Sequence, residues 1–228
     1  MLNADGSTRQ ERLTENMKAL IVYGGWAGHE PDKVAAILEK ALRDNGFDVE
    51  MSETLDSFAD KDNLLTKDLI VPCWTMDKLE GDRQSGLCQA VREGVGIAGA
   101  HGGMGDAFRE ATEYQFMVGG QFVAHPAGIH EFTVRVRDRS DPIMAGIDDF
   151  TLVSEQYYMH VDPAIEVLAT SVFAEGGVTM PAVWKKTFGQ GRVFYSSLGH
   201  VAADFDTPEV LTITTRGMLW AAEGKAGG

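Results

Sequence analysis

The residues of this chain best suited to chemistry are its six histidines, four of which follow segments predicted to be β-strands. His29 lies in the loop after the first predicted strand, His101 follows the fourth directly, and His200 comes after the last. Because open α/β sheets bind ligands beyond the carboxyl ends of their strands, these three imidazoles are expected to share one rim. His160 is expected to reach it too. Imidazole titrates near neutral pH, so such a cluster suits proton transfer or ligand binding.

Carboxylates and aromatic rings near these histidines extend the candidate site. Glu155 and Asp106 are the acidic residues expected to take part. Glycines after a strand let the backbone approach a ligand closely, and aromatic faces can stack on sugar rings. The candidates for substrate binding are Trp26, His29, Gly102, Gly103, His125, Tyr158, His160 and Trp184.

Each candidate also has a plainer structural explanation. A single histidine is more often a surface or hydrogen-bonding residue than a catalyst. Asp106 would serve as the N-cap of a helix that begins at Ala107, and the aromatic residues would be ordinary core side chains. His101 and His200 stand out because each follows a strand and is flanked by glycine.

The elements that must position these residues alternate between strand and helix from Lys18 onward. The apolar run 19–23 is typical of a strand buried on both faces of a parallel sheet. Further strands are predicted at 47–51, 68–72, 95–100, 131–137, 151–158, 165–173, 182–187 and 192–197, and helices at 31–44, 79–93 and 207–223. The pattern predicts one three-layer α/β domain over residues 18–224 with a mixed, mainly parallel sheet. Residues 1–17 are expected to be a flexible leader.

Composition argues against several classes of function. The chain has 20 Lys and Arg against 34 Asp and Glu, and its net charge of −14 repels phosphate backbones and anionic lipid. We therefore expect no nucleic-acid partner and no membrane partner. The two cysteines, Cys73 and Cys88, are too few for a disulfide framework and are expected to be buried thiols. With no recognisable secretion signal or membrane span in the sequence, we expect a cytoplasmic protein.

Motifs for nucleotide binding and for serine catalysis are missing from the sequence. The loop from Gly24 to Gly28 does not match G-x-G-x-x-G, and no G-x-x-x-x-G-K-[ST] segment occurs. No G-x-S-x-G turn occurs either. We therefore expect no nucleotide cofactor.

Five short segments stand in order between Lys18 and the C-terminal helix. They are Gly24-Gly25-Trp26 with Gly28-His29, Ala100-His101-Gly102-Gly103 with Asp106, Gly119-Gly120-Gln121-Phe122 with His125-Pro126, Glu155-Gln156-Tyr157-Tyr158, and Gly191-Arg192-Val193-Phe194-Tyr195 with Gly199-His200. Together they resemble the trehalose-utilisation (ThuA-like) family over almost the whole chain.

The resemblance implies a flavodoxin-like core similar to that of class I glutamine amidotransferases. Those enzymes carry a nucleophilic cysteine in a G-x-C-x-G turn, whereas residues 99–103 here read Gly-Ala-His-Gly-Gly, with His101 in the nucleophile's position. Their H-x-E base sequence is here His200-Val201-Ala202, without the glutamate. Glutaminase chemistry needs the thiolate and is therefore expected to be absent.

The resemblance also implies carbohydrate catabolism. Such proteins accompany dehydrogenases that oxidise disaccharides at the 3-hydroxyl, and a ketone at C3 acidifies the proton at C2. We expect cleavage or isomerisation of a 3-keto-glycoside, with a base for that proton and an electrophile at the ketone. The residues assigned to catalysis are His101, His200, Glu155 and Asp106. The candidate ligands of a divalent metal ion are His101, His160 and His200.

Two other functions stay open at this point. One is a non-catalytic sugar-binding or regulatory module, in which the tryptophans bind the ligand. The other is a metal-dependent hydrolase of another small molecule, because imidazole and carboxylate ligands suit Zn, Fe, Ni or Mn. A small-molecule sugar is the expected substrate. The apolar run 114–124 could form a homodimer face, although inward packing is favoured.

Overall fold

The computed structural model describes residues 16–226, which are built around a nine-stranded sheet. The strands are β1 (Lys18–Gly25), β2 (Asp48–Ser52), β3 (Leu69–Thr75), β4 (Gly96–Ala100), β5 (Gly120–Ala124), β6 (Ile129–Val136), β7 (Phe150–Glu155), β8 (Tyr158–Val161), β9 (Glu166–Val172), β10 (Thr179–Phe188) and β11 (Gly191–Ser196). The helices are α1 (Pro31–Asp44), α2 (Lys61–Leu65), α3 (Gly81–Arg92), α4 (His101–Gly105), α5 (Thr112–Val118) and α6 (Pro208–Ala226). Single 3₁₀ turns lie at Ala27–His29, Leu55–Phe58 and Ala202–Asp206. Residues 1–15 of the predicted leader lie outside the described residues.

The strand order in the sheet is β2-β1-β3-β4-β11-β10-β9-β6-β7. The first five strands are mutually parallel, and the remaining four are added by antiparallel pairing. Strands β9 and β7 therefore run in the same direction as β1, and only β10 and β6 are reversed. This confirms the predicted mixed, mainly parallel sheet. It also means that the carboxyl end of β7 points the same way as those of β1, β4 and β11.

Helices cover both faces of the sheet because successive side chains of the central strands alternate between them. In β1, Ala19 and Ile21 belong to the core that contains the apolar side of α1 and α6. Leu20 and Val22 belong to the opposite core, with α3 and α5. The result is the three-layer α/β arrangement predicted from the apolar runs.

The region after β6 differs from the sequence prediction. The segment 151–158, predicted as one strand, is two strands, because β8 leaves the main sheet and pairs with β5 in a separate two-stranded sheet. Two buried residues separate them: Gln156 hydrogen-bonds to Ser171, and Tyr157 packs on His101. In the run 114–124, Met117 is buried whereas Phe116 is exposed.

The described part of the chain contains no helix that is both long and apolar enough to cross a membrane. Both cysteines are free and buried, as predicted, and burial raises the pKa of each thiol to about 12. Both thiols are therefore protonated at neutral pH. Cys73 borders the candidate site, but as a protonated thiol it is unsuited to nucleophilic attack.

Candidate functional site

A small pocket of about 240 Å³, counted to its open mouth, lies at the carboxyl rim of the parallel strands. Its wall is formed by residues that follow β1, β3, β4 and β11, which is where open α/β sheets place their ligands. The polar and glycine residues of this wall are His29, Thr75, His101, Gly102, Gly103, Gly199 and His200.

The three imidazoles that line this pocket converge on one carboxylate. The Oε2 atom of Glu155 lies 3.3 Å from Nε2 of His101, 3.3 Å from Nδ1 of His200 and 4.0 Å from Nε2 of His29. The three imidazole centroids are 5.0–5.2 Å apart. All four side chains are buried, and one ligand atom from each lies within 4.8 Å of the others. The sequence predicted that the three histidines share a rim, and the structure brings them together around a single oxygen.

His101, the first residue of α4, has a strained backbone directly after β4. Its backbone φ of 46° lies in the left-handed region, which is uncommon for a residue other than glycine and is often found at functional sites. The Nδ1 atom lies 2.8 Å from the Ser197 carbonyl oxygen and must donate to it, because a carbonyl only accepts. In a neutral ring the lone pair is therefore on Nε2, facing Glu155.

His29 is held from the opposite side of the pocket. Its Nδ1 lies 2.8 Å from the Thr75 hydroxyl, which can accept a hydrogen bond from it and leave the Nε2 lone pair facing Glu155. The ring also lies directly against Gly102, where an added Cβ would come within 2.2 Å of the ring carbon Cε1. This close contact explains why a glycine follows His101.

His200 is fixed through its backbone. Its N–H donates to Oδ2 of Asp204 at 2.8 Å, and the same oxygen accepts a hydrogen bond from Ser154 at 2.5 Å. The Nδ1 atom of His200 is buried and has no hydrogen-bond partner among residues 16–226. A buried nitrogen without a partner is costly unless a proton or a cation satisfies its lone pair.

Burial controls the charge of the cluster. Burial, followed by repulsion from His101 and His200, lowers the pKa of His29 to about 3. Burial and His101 also lower the pKa of His200. Burial alone would raise the pKa of Glu155, but a protonated His101, which donates a hydrogen bond to it, and positive charge on His200 outweigh burial and lower that pKa. At neutral pH the site therefore presents an ionised carboxylate with neutral His29 and His200.

These residues fit a divalent metal ion. Neutral imidazole nitrogens and a carboxylate oxygen are common ligands of Zn, Mn, Fe and Ni, and metal binding requires them in this deprotonated form. The partnerless His200 Nδ1 and the His101 Nε2 lone pair both face the Glu155 oxygen, a contact that is favourable only with a proton or a cation between them. A proton on His101 would compete with a metal ion for this place, and the ring would then donate from both nitrogens.

The structure places the remaining predicted site residues at varying distances from this cluster. His125 contacts the other oxygen of Glu155, with Nε2 3.7 Å from Oε1. Trp26 is 47% exposed at the rim and packs edge-on against His29, with ring centroids 4.8 Å apart. Gly103 lines the pocket beside Cys73.

Four predicted site residues are held elsewhere by other contacts. Asp106 is buried and forms a two-pronged ion pair with Arg109. Trp184 is fully buried and donates to the Val118 carbonyl, and Tyr158 packs on Phe173. His160 is exposed on β8, opposite Gln121 of β5, and does not belong to the cluster of His29, His101, His200 and Glu155.

The cluster is supported by four residues that were not predicted from the sequence. Thr75, Ser197 and Asp204 hold the three histidines as described above. Tyr157 lies over His101, with ring centroids 3.8 Å apart. Thr75 and Ser197 each end or follow a strand, a position that could have marked them, whereas nothing local in the sequence distinguishes Asp204.

Comparison with known structures shows which folds this one resembles. The chain is similar to ThuA-like proteins from Parabacteroides merdae (20% identity, 92% of this chain and 91% of that one, TM-score 0.75) and from Bacteroides uniformis (17% identity, 90% and 91%, TM-score 0.76). It is also similar to the CTPS glutaminase domain of Trypanosoma brucei (13% identity, 92% and 94%, TM-score 0.56). These similarities confirm the predicted class I glutamine amidotransferase-like fold.

Sequence comparison identifies the family. No curated protein matches the chain. The family model ThuA, described as trehalose utilisation, matches residues 18–221, which include all five segments that carried the resemblance. The chain therefore belongs to the ThuA family.

Proposed function

We propose that this protein is a metal-dependent enzyme of sugar utilisation that removes the C2 proton of a 3-keto-glycoside. The observation that carries the proposal is the convergence of three imidazoles on one oxygen of the buried Glu155 carboxylate, with His200 Nδ1 left without a partner among the described residues. Membership of a family described as trehalose utilisation supports a sugar as the substrate.

The metal ligands in this proposal are His29, His101, His200 and Glu155. Catalytic zinc sites typically have three protein ligands and one open position, whereas an octahedral ion such as Mn²⁺ would keep open positions beside four ligands. When bound, a divalent ion polarises a carbonyl oxygen and stabilises negative charge that develops on it. The substrate oxygen served in this way would be that of the C3 ketone.

The protein residues around the cluster would bind and orient the sugar. The exposed Trp26 beside His29 offers a flat apolar surface for one face of a sugar ring. Gly102 and Gly103 line the pocket, and their lack of side chains lets His29 and Cys73 pack directly against the backbone there.

The chemistry begins with loss of the C2 proton to a base. The C2–H electron pair forms a C2–C3 double bond, and the carbonyl pair moves onto the C3 oxygen. In cleavage, the electrons return to re-form the ketone, a C1–C2 double bond forms, and the C1–O bond breaks. The departing oxygen takes up the proton, so no water is consumed. In isomerisation, the C2 hydroxyl proton passes instead to the C3 oxygen, a C2 ketone forms from the C2–O pair, and the C2–C3 double-bond electrons take up a proton at C3.

The experiment is to incubate the purified protein with 3-keto-trehalose, with and without added Mn²⁺ or Zn²⁺, and to follow glucose release. Metal-dependent release of glucose is the result expected for cleavage, and metal-dependent formation of a new keto-sugar is the result expected for isomerisation. If the metal-loaded protein produces neither and exchanges no proton at C2, the proposal is wrong. Calorimetric binding of the sugar without turnover would then favour a sugar-binding module.

A further inference from the structure

We infer that His125 is the base that takes the C2 proton, an inference that rests on the proposed function. The four buried residues are poorly suited to this task, because their lone pairs face one another around a single point. The base must instead lie beside the cluster rather than within it, so that its lone pair can reach the substrate.

His125 meets this requirement. Its Nε2 atom lies 3.7 Å from Oε1 of Glu155, the carboxylate oxygen opposite the one that faces the three buried imidazoles. Its side chain is 43% exposed, whereas that of His101 is 2% exposed. His125 therefore stands at the solvent-exposed edge of the cluster.

Two aromatic rings orient the His125 imidazole. Tyr157 stacks with it at an interplanar angle of 23° and a centroid distance of 6.5 Å. Phe122 lies 5.8 Å away at 32°. Because Tyr157 also lies over His101, the same ring aligns the exposed histidine with the buried cluster.

The Glu155 carboxylate completes the arrangement. The 3.7 Å between His125 Nε2 and Oε1 is an ion-pair distance rather than a hydrogen bond. In the tautomer with its proton on Nε2, beside this carboxylate, the neutral ring carries its lone pair on Nδ1. This Nδ1 atom would take the C2 proton, and the ionised carboxylate would stabilise the imidazolium that forms. In cleavage, the same proton passes to the departing C1 oxygen, which returns His125 to its neutral form.

Other groups near the cluster are already engaged. His130 contacts the Gly128 carbonyl and the Gln156 side chain through its two ring nitrogens. Asp106 is paired with Arg109, and burial raises the pKa of Tyr157, which keeps its hydroxyl protonated. His125 is thus the imidazole outside the buried cluster that contacts Glu155 in the described part of the chain.

The test follows deuterium incorporation at C2 of 3-keto-trehalose in D₂O by NMR, using the full-length, Mn²⁺-loaded protein. For His125→Ala we expect exchange to fall by about 100-fold or more, the usual contribution of a general base. Metal content and sugar affinity should stay within about twofold of wild type. Added imidazole should restore part of the exchange. The matched control is Val123→Ala, an exposed residue of β5 two positions before His125, which should exchange like wild type and gain nothing from imidazole.

The outcomes separate this inference from the proposed function. If wild type exchanges no deuterium, the proposed function itself is wrong. If wild type and His125→Ala exchange at the same rate, the inference alone is overturned. Loss of bound metal in His125→Ala would also overturn it, because His125 would then support the metal site rather than move the proton.

Discussion

Glu155 lies 3.3 Å from His101. Glu155 ends β7 and His101 directly follows β4, and four other strands lie between β7 and β4 in the sheet. The β6–β7 hairpin makes this contact possible. Only Val134, Arg135 and Val136 of β6 pair with β9, whereas Ile129, at the other end of β6, pairs with Glu155. The half of the hairpin that carries the carboxylate therefore extends past β9 and reaches back to the parallel strands.

The first prediction concerns the ligands of the metal. His200→Ala and Glu155→Gln are each expected to weaken Mn²⁺ or Zn²⁺ binding by at least about 100-fold, since even residues that only support a metal ligand are typically worth 10–100-fold. His160→Ala should bind metal like wild type, because the structure places His160 outside the cluster. Calorimetric titration of chelator-stripped protein measures this. Equal affinities in all three variants would exclude the cluster as the metal site.

The second prediction concerns acid stability without metal. The pKa of His29 falls from its ordinary 6.5 to about 3 in the folded state, so between these values the unfolded chain binds more protons. The free energy of unfolding should therefore decrease as the pH falls below 6.5. The lowered pKa values of His200 and Glu155 act with the same sign.

His29→Gln removes one of these groups. The slope of the unfolding free energy against pH should therefore decrease, by at most about 1.4 kcal/mol per pH unit. Urea unfolding in the presence of a chelator at pH 8, 7, 6 and 5 measures it. Above pH 7 the two proteins should show equal slopes, which serves as the internal control. Equal slopes below pH 6 as well would contradict the lowered pKa of His29.

Much of this site was accessible to sequence reasoning, because it depends on local rules. Apolar runs that end at glycine predicted the parallel strands, and strand direction then predicted that His29, His101 and His200 share a rim. Their meeting with Glu155 depends on how a hairpin crosses the sheet, which no local pattern encodes. Trp184 is a similar case, because the strand pattern around it is the same whether the side chain faces a ligand or the core. Only the folded structure shows that it is buried in the core.

The third prediction tests the contact between Gly102 and His29. A Cβ at residue 102 would lie 2.2 Å and 2.4 Å from ring atoms of His29 and 2.9 Å from the Tyr157 hydroxyl. The His29 ring must then move and lose its hydrogen bond with Thr75. Gly102→Ala is expected to weaken metal binding by about tenfold or more. Gly103→Ala is the matched variant, since its Cβ would lie 3.1 Å from Cys73 and avoid the rings, and it should have a smaller effect. The reverse order would refute this role for Gly102.

The fourth prediction concerns Asp204, whose Oδ2 atom accepts hydrogen bonds from the His200 backbone N–H and the Ser154 hydroxyl. Ser154 precedes Glu155, so one carboxylate ties together the two sides of the cluster. Asp204→Ala leaves two buried donors without an acceptor, which costs about 1–3 kcal/mol for each group. We expect a lower free energy of unfolding without metal and weaker metal binding.

The variant Asp204→Asn distinguishes the loss of the two hydrogen bonds from the loss of the negative charge. Its side-chain oxygen can accept both hydrogen bonds, so most of the stability and metal affinity lost in Asp204→Ala should return. Urea unfolding and metal titration of both variants provide the comparison. If Asp204→Asn is as impaired as Asp204→Ala, the carboxylate acts through its charge on His200, whose pKa it raises, rather than by positioning the ring.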